Sequence, residues 1–284
     1  MFKETCEVLE NKTVAPGHFV MKLRSKKIGK TALPGQFVQI LCSGDSMDPL
    51  LPRPFSFLEA SASDFSILYN VVGQGTGLMA KFKKGDKTHV LGPLGKGFTL
   101  RRKKEDGRGK RLLVGGGVGI PPLYHLAENL VRAKEVKKTD IHVFLGARNK
   151  SLLLCEKDFA KLGIKMYLAT DDGTKGHKGF VTQILVKFLK SSISHLSSSL
   201  IHCCGPIPML KAVSLVASEF GVPNEASVEV PMACGFGACL GCAIKVRTDV
   251  GAGLKPAPTT APNYRFAIAC TEGPVFEGSK ILWD

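Results

Sequence analysis

Four cysteines near the C-terminal end constrain this chain more than any other feature of its sequence. Cys234, Cys239 and Cys242 follow a C-x4-C-x2-C spacing, and 27 residues separate Cys242 from Cys270. This spacing is typical of plant-type [2Fe–2S] clusters, in which one tight loop supplies three of the four thiolates. We therefore predict a small C-terminal [2Fe–2S] cluster-binding domain at residues 226–284.

Glycines between these cysteines support the same interpretation. A loop that brings three thiolates to two irons has to curl around them, and Gly235, Gly237 and Gly241 give the backbone the necessary freedom. Backbone N–H groups of such a loop can then point at the sulfurs and stabilise their negative charge. The alternative is structural zinc, but zinc sites usually show paired short spacings, and the second pair is missing here.

The rest of the composition is that of an ordinary folded protein. Hydrophobic residues make up 44% and charged residues 22% of the 284 positions, which excludes global disorder and favours two or three domains. Nine cysteines, an odd number, argue against a disulfide framework. Most of the five outside the cluster motif are predicted to be small buried side chains: Cys6, Cys42, Cys155, Cys203 and Cys204.

The N-terminal residues Met1–Glu4 lead directly into a strand-like pattern, without a basic segment followed by an apolar segment and a cleavage site. No run approaches the ~18 apolar residues of a membrane span. We therefore expect a cytoplasmic protein with no membrane association.

Residues 1–101 are predicted to form a small antiparallel β-barrel. Strand-like runs such as Phe19–Leu23, Gln36–Ile40 and Phe65–Tyr69 are separated at short intervals by Gly and Pro. The charged segment Arg101–Lys110 contains two glycines and reads as a linker.

Residues 102–225 alternate short apolar strands with helical patterns, which predicts a parallel α/β sheet. The predicted strands are Arg111–Val114, Ile141–Leu145, Lys165–Ala169 and Leu200–Cys204, and the predicted helices are Leu123–Ala133, Val181–Lys190 and Pro208–Phe220. Beyond this region, Asp249–Asn263 is rich in Gly, Pro and Thr and is predicted to be a loop.

Two turns of the α/β region are candidate nucleotide sites. Gly115, Gly116, Gly117 and Gly119 lie between a strand and a helix, where a pyrophosphate can approach unpaired N–H groups. They do not form the G-x-G-x-x-G fingerprint, so an ordinary tight turn is the alternative. The second turn, Cys204-Gly205-Pro206, follows the last α/β strand; its cysteine either lies against a nicotinamide ring or is a buried thiol.

Two segments of the barrel region are candidate flavin sites. In Arg53-Pro54-Phe55-Ser56, the arginine can pair with a phosphate, the serine can hydrogen-bond a flavin edge, and the proline fixes the strand direction. The turn Val72-Gly73-Gln74-Gly75-Thr76-Gly77 supplies glycines and a hydroxyl for the same pyrophosphate. A strand edge followed by a loop is the alternative for both.

In this order, the motifs resemble the flavin and nicotinamide domains of the ferredoxin reductase superfamily. The segment Glu229–Cys242, taken with Cys270-Thr271-Glu272-Gly273-Pro274-Val275-Phe276, is similar to the electron-transfer subunit of type B dihydroorotate dehydrogenases. The resemblance covers nearly the whole chain. One departure is the 27-residue separation of Cys242 and Cys270, whose surplus coincides with the loop at 249–263; lengthening a loop costs little.

That resemblance implies a fold and an activity. The fold is an N-terminal antiparallel FAD-binding β-barrel, a parallel α/β domain for the nicotinamide nucleotide and a [2Fe–2S] domain. The activity is that of an oxidoreductase subunit: an FMN-containing partner oxidises dihydroorotate to orotate in pyrimidine synthesis, and electrons pass through the cluster and FAD to NAD. The assembly implied is a heterotetramer with two subunits of each kind, and no protein acid or base is required.

The resemblance also implies roles for individual residues. Those expected to contact FAD are Arg53, Pro54, Phe55, Ser56, Asn70, Val71, Val72, Gly75 and Thr76. Cys234, Cys239, Cys242 and Cys270 are expected to ligate iron. Asp171–Thr174, with Gly179, is similar to a family segment beside the nicotinamide pocket, although a simple acidic turn is the alternative.

Two other functions remain open at this stage. One is a related FAD and [2Fe–2S] reductase for another partner, of the sulfide dehydrogenase or transhydrogenase type. The other is a basic, zinc-binding nucleic-acid module, since the net charge is +15. The basic runs lack interleaved aromatic residues and the module leaves both glycine turns unexplained, so we expect no nucleic-acid partner. The choice between NADH and NADPH is also open; Arg148 could reach a 2′-phosphate or be a solvated loop residue.

Overall fold

The computed structural model describes residues 1–43, 48–100, 109–134, 136–192, 196, 198–248 and 263–283. The predicted linker at 101–110, except Gly109 and Lys110, and the predicted loop at 249–263, except Asn263, lie outside the described residues. Within the described part, no helix has the length and apolarity to span a membrane.

The N-terminal region is a closed antiparallel barrel, as predicted, with the strand order β1-β2-β5-β4-β3-β6. Its elements are β1 (Phe2–Ala15), β2 (His18–Arg24), α1 (Ile28–Thr31), β3 (Phe37–Ile40), β4 (Arg53–Ala60), β5 (Asp64–Asn70), α2 (Gln74–Met79) and β6 (Lys87–Leu94). Alternating side chains such as Met21, Leu23, Phe65 and Ile67 are fully buried and fill the interior. Closure leaves no unpaired strand edge.

The central region is the predicted parallel α/β sheet. Its elements are β7 (Arg111–Gly116), α3 (Ile120–Ala133), β8 (Ile141–Ala147), α4 (Glu156–Leu162), β9 (Lys165–Thr170), β10 (His177–Lys178), α5 (Val181–Ser191), β11 (Leu200–Cys204), α6 (Ile207–Glu219) and β12 (Asn224–Ser227). The strands β7, β8 and β11 are almost continuously buried because helices cover both faces of the sheet. Helix α3 begins three residues before the predicted start, since Pro121 and Pro122 are tolerated in a first turn.

We call residues 228–283 the cluster segment. Its elements are β13 (Ala243–Arg247), β14 (Tyr264–Ile268), α7 (Ala269–Glu272) and β15 (Val275–Glu277). Strands β13 and β14 form a separate antiparallel pair, whereas β15 adds antiparallel to β12 and completes the sheet order β10-β9-β8-β7-β11-β12-β15. The cluster segment therefore shares a sheet with the α/β region.

Packing joins all three regions. Cys242 and Cys270 belong to the same buried apolar cluster as Phe37 and Leu94 of the barrel and Ala226 of the α/β sheet. A second connection is polar: the backbone N–H of Thr99, just beyond the barrel, donates to the Glu225 carboxylate at 2.9 Å. The candidate sites are therefore set on one connected framework.

Candidate functional site

A cleft of about 670 Å³ lies between the barrel and the carboxyl ends of the parallel strands. On the barrel side it is lined by His18 and Asn70, which are paired across β2 and β5. On the sheet side it is lined by Gly116, Gly117 and Gly205, which follow β7 and β11. The strand order reverses between these two strands, and such a switch point is where open α/β sheets bind ligands.

The two turns predicted to hold a nucleotide meet at this point. A Cβ atom on Gly119 would lie 2.4 Å from the backbone of both Cys204 and Gly205, so no side chain fits there. Gly117 has a φ of +55° and no neighbouring atom within 4 Å of a Cβ position, which leaves open space before helix α3. Pro121 and Pro122 in the first turn of the 14-residue helix have no N–H, so a phosphate in that space would meet the backbone of the glycine turn and the positive end of the helix dipole.

Cys204 is placed differently from its neighbours. Gly205 and Pro206 line the cleft, but Cys204 is only 7% exposed and lies in the apolar core. Burial raises the pKa of its thiol to about 12, so the side chain is neutral at physiological pH. The buried-thiol alternative describes its surroundings, and a contact with nicotinamide stays a prediction.

The cleft also contains residues that sequence analysis did not assign to a site. His18, Phe180, Met209 and Glu229 line it. Burial raises the pKa of the Glu229 carboxyl. Glu229 comes two residues after the carboxyl end of β12, the sheet edge where ligands bind, but this four-residue strand was not among the strands predicted from the sequence.

Arg148 and Asp171, which sequence analysis connected with the nucleotide, both line the cleft as well. The acidic turn that follows Asp171 also has a local structural role. Asp172 accepts hydrogen bonds from the backbone N–H of Thr174 at 2.9 Å and from its hydroxyl at 2.7 Å, and these bonds lower the pKa of the carboxyl.

Four of the residues predicted to bind FAD, Arg53, Val72, Gly75 and Thr76, lie together at one end of the barrel. The Arg53 Nε lies 3.5 Å from the position of a Cβ on Gly75, so the start of β4 adjoins the glycine turn before α2. Arg53 is held by its Nη1, which donates to the carbonyl of Leu51 at 2.7 Å. Thr76 has a local role: its Oγ1 accepts the backbone N–H of Val72 at 3.0 Å and closes the turn.

This end of the barrel fits a flavin nucleotide. Val71 is 37% and Val72 is 80% exposed, so two apolar side chains next to the turn lack a protein cover. Positions Gly73 and Gly77 have nothing within 4 Å of a Cβ position, which leaves room for a pyrophosphate beside the Arg53 charge. Apolar surface for a ring system, open backbone and a guanidinium are the groups that FAD requires.

The four cysteines of the cluster motif lie together as two pairs. The backbone N–H of Cys239 donates to the Cys234 sulfur at 3.4 Å, and that of Cys270 donates to the Cys242 sulfur, also at 3.4 Å. Among the described residues, no three His, Cys, Asp or Glu side chains surround a single metal position. Two pairs of thiols suit the four-cysteine ligation of a cluster of two irons.

Backbone groups around Cys234 favour its thiolate. Burial raises the pKa of this thiol, but the surrounding N–H groups of Cys239, Phe236 and Ala238 outweigh burial and lower the pKa to about 6. The loop reaches this geometry because Gly235 and Gly237 have φ values of +79° and +91°. The backbone freedom that we predicted for glycines in this loop is thus required at Gly235 and Gly237.

The cysteines outside the motif behave differently. Cys6, Cys42, Cys203 and Cys204 are buried, as predicted, and Cys155 is half-buried. Burial raises the pKa of all five thiols. Burial raises the pKa of Cys270 in the motif to about 12 as well, so the motif is set apart by its spacing and by the backbone N–H groups around Cys234.

Comparison with known proteins gives two family matches. The oxidoreductase NAD-binding domain matches residues 113–215. The iron–sulfur cluster binding domain of dihydroorotate dehydrogenase B matches residues 229–282. The two matches cover the switch-point cleft and the cysteine motif respectively.

Solved structures share the fold. The structure of an NADH-dependent reduced ferredoxin–NADP oxidoreductase, studied for flavin-based electron bifurcation, matches with a TM-score of 0.76 and 29% identity over 99% of this chain and 91% of that one. The ferredoxin reductase of carbazole 1,9a-dioxygenase matches with a TM-score of 0.63 over 78% of this chain and 67% of that one. At 23% identity, the latter supports the fold alone.

Curated relatives match over almost the full length. A protein from Desulforamulus reducens is 36% identical over 280 residues, which are 98% of this chain and 97% of the relative. One from Fusobacterium nucleatum is 36% identical over 283 residues, 98% of each. Both are named dihydroorotate dehydrogenase B (NAD(+)), electron transfer subunit. This chain therefore belongs to the family of dihydroorotate dehydrogenase B electron transfer subunits.

Proposed function

We propose that this chain carries electrons between an FMN-containing catalytic subunit, which oxidises dihydroorotate for pyrimidine biosynthesis, and NAD(+). The observation that carries the proposal is the pairing of the four thiols, two of which, Cys242 and Cys270, lie in a core that also contains barrel and α/β residues. Bound FAD exchanges a hydride with nicotinamide and single electrons with the [2Fe–2S] cluster, which accepts one at a time. The relatives' shared name supports the identity of the partner.

The barrel would hold FAD through its turn and strand β4. Arg53 neutralises phosphate charge, Gly75 lets the turn pack closely against Cys42 and Arg53, and Val72 covers an apolar ring face. Asn70 extends this site into the cleft. The complete proposed set of FAD contacts is Arg53, Pro54, Phe55, Ser56, Asn70, Val71, Val72, Gly75 and Thr76.

The α/β sheet would hold NAD(H) in the switch-point cleft. The proposed contacts are Gly115, Gly116, Gly117, Gly119, Cys204, Gly205 and Pro206. The start of helix α3 receives the pyrophosphate, and the cleft directs the other end of the ligand toward Asn70 on the barrel. The uncharged Cys204 thiol adds no negative charge beside the nicotinamide.

The cluster loop would face the partner subunit. Cys239 is exposed, and it lies between Phe236, which is 48% exposed, and Leu240, which is 59% exposed. Cys234, Cys239, Cys242 and Cys270 are the proposed iron ligands. An apolar surface around an exposed ligand suits a protein interface across which an electron passes. We propose two subunits of each kind in the assembly.

A reductase serving another partner, of the sulfide dehydrogenase or transhydrogenase type, is not favoured. The relatives that match over 98% of the chain carry the dihydroorotate dehydrogenase name. The 27-residue separation of Cys242 and Cys270 does not favour the other reductases, because the iron–sulfur family match includes both cysteines.

Anaerobic purification of the chain together with an FMN-containing dihydroorotate dehydrogenase subunit tests the proposal. We expect a coloured complex containing FAD, FMN and two irons per chain, which forms NADH from NAD(+) when dihydroorotate is added. A colourless protein that holds zinc and does not react with NADH would contradict both the cofactors and the function. A coloured complex that reduces NAD(+) only with another donor would contradict the partner alone.

A further inference from the structure

Gln39 is a buried amide with no hydrogen-bond partner among the described residues. Its side chain is 1% exposed, and neither Nε2 nor Oε1 reaches a donor or an acceptor. Leaving a buried polar group unpaired is energetically costly. A buried amide of this kind indicates a partner that the protein chain does not supply.

The position of Gln39 identifies where such a partner lies. Gln39 is in strand β3 of the barrel, and its backbone is paired opposite Pro54 in β4, the strand proposed to hold FAD. A Cβ atom on Gly235 would lie 2.6 Å from the Gln39 Cγ and 2.8 Å from Nε2. The amide thus lies directly against the cluster loop, next to the residue that follows Cys234.

The hydrogen bonds of the cluster loop indicate what the Gln39 amide does. The backbone N–H of Cys239 already donates to the Cys234 sulfur at 3.4 Å, so the loop presents hydrogen-bond donors to this side of the cluster. An amide N–H that reaches the same group from the barrel side adds one more donor. Hydrogen bonds to the sulfurs of an iron–sulfur cluster stabilise its reduced, more negative form and raise its reduction potential.

We propose that the Gln39 side-chain amide donates a hydrogen bond to a sulfur of the cluster held by Cys234, and thereby raises the cluster's reduction potential from the flavin side. This inference rests on the function proposed above. Glycine at position 235 belongs to the same arrangement, because any side chain there would displace the amide. Gln39 is therefore a residue that tunes an electron carrier and takes no part in hydride transfer.

Two substitutions test the proposal in the complete complex. Gln39→Leu and Gln39→Met keep similar side-chain volume and remove the donor. At a fixed electrode potential, we expect about tenfold less reduced cluster relative to oxidised cluster, a shift of about 59 mV for a one-electron couple. Electron paramagnetic resonance of the reduced cluster during a redox titration gives the ratio.

A spectroscopic measurement checks the contact itself. In deuterated buffer, the wild-type cluster should lose an exchangeable proton coupling that both variants already lack, as seen by electron–nuclear double resonance. Val38→Ala is the matched control, since Val38 is the neighbouring buried residue in β3 and belongs to the barrel's internal core. This control should leave both the cluster potential and the proton coupling unchanged.

Other results would overturn the proposal. An unchanged cluster potential with an unchanged proton coupling in either variant would exclude the hydrogen bond. A shift of the flavin potential alone would assign the amide to the flavin instead. A wild-type protein without a [2Fe–2S] signal would contradict the proposed function as well, so the two failures are distinguishable.

Discussion

The α/β sheet and the cluster segment are held together by different means. In the sheet, Leu112, Leu113 and Val114 of β7 are fully buried, and the facing strand β8 is equally apolar. In the cluster segment, the pair β13 and β14 has five residues in each strand and only partial burial. A two-stranded pair of this size is marginal in water without further support.

The comparison teaches where stability comes from in each region. Apolar burial stabilises the sheet whether or not a ligand is present, at about 25 cal/mol for each Å² removed from water. The cluster segment gains its support from thiolate–iron bonds and from apolar residues of its neighbours. We therefore expect metal-dependent order in the cluster segment and metal-independent order in the sheet.

The largest expected effect comes from removing a ligand. Cys270→Ser should reduce the iron content of the purified chain to near zero and abolish electron transfer to the partner, because a distant ligand clamps the loop. The NADH-dependent reduction of a small-molecule dye through FAD should continue. Iron analysis, the visible spectrum and dye reduction check this.

Cys155→Ser is the matched control for the ligand variant, since Cys155 is a thiol outside the cluster motif, just before α4. It should retain full iron. Retention of a normal cluster spectrum in Cys270→Ser would show that this residue is not the fourth ligand.

A second prediction concerns the sheet. Gly119→Ala places a methyl group 2.4 Å from the backbone of Cys204 and Gly205. Misplacing the two turns should slow NADH-dependent flavin reduction about 100-fold, while the iron content stays normal. Ser218→Ala, at an exposed position near the end of α6, is the control and should change neither the NADH rate nor the melting temperature. Equal rates of NADH-dependent flavin reduction in Gly119→Ala and wild type would contradict the assignment of this turn to the nucleotide site.

The third prediction concerns pH. Burial, assisted by the Arg132 charge, lowers the pKa of His125 in α3 to about 4. Below pH 6.5 the unfolded chain binds a proton that the folded chain does not. The free energy of unfolding therefore decreases as the pH is lowered, by about 2 kcal/mol from pH 7 to pH 5. In urea titrations over the same pH range, the free energy of unfolding of His125→Leu should decrease by about 2 kcal/mol less than that of the wild type. Parallel pH dependences would contradict the expectation.

The smallest expected effect is at the cleft. Burial raises the pKa of Glu229, and above that pKa its carboxylate favours the cationic nicotinamide of NAD(+) over NADH. At pH 8, Glu229→Gln should weaken NAD(+) binding relative to NADH about fivefold, as expected for one charge pair in a solvated cleft. The difference should disappear as the pH falls and the wild-type carboxyl becomes protonated. Calorimetric binding constants at several pH values would test it, and a constant ratio would contradict it.

Local patterns in the sequence predicted the framework well. The barrel strands, the parallel sheet and both glycine turns follow from periodicity and turn residues, which act over a few positions. The grouping of Cys234, Cys239 and Cys242 follows from spacing alone, because one short loop carries all three. The assignment of Cys270 as the fourth ligand depended on the resemblance and stays a prediction.

The remaining features depend on how distant segments meet. His18 and Glu229 reach the cleft through the packing of the barrel on the sheet, and Gln39 meets Gly235 across nearly two hundred positions of sequence. Strand β15 has three residues, too few for a periodic signal. Such contacts are decided by tertiary packing, which the order of residues along the chain does not display.

Strand β15 has a practical consequence. Cys270 lies five residues before a strand that pairs with β12, the outer parallel strand of the nucleotide sheet. If the cluster segment were cut near residue 228 and fused to another reductase, the original protein would lose β15. Strand β12 would then be an unpaired edge strand that could aggregate with other molecules. Chimeric proteins should therefore exchange strand β15 and the iron-binding loop together.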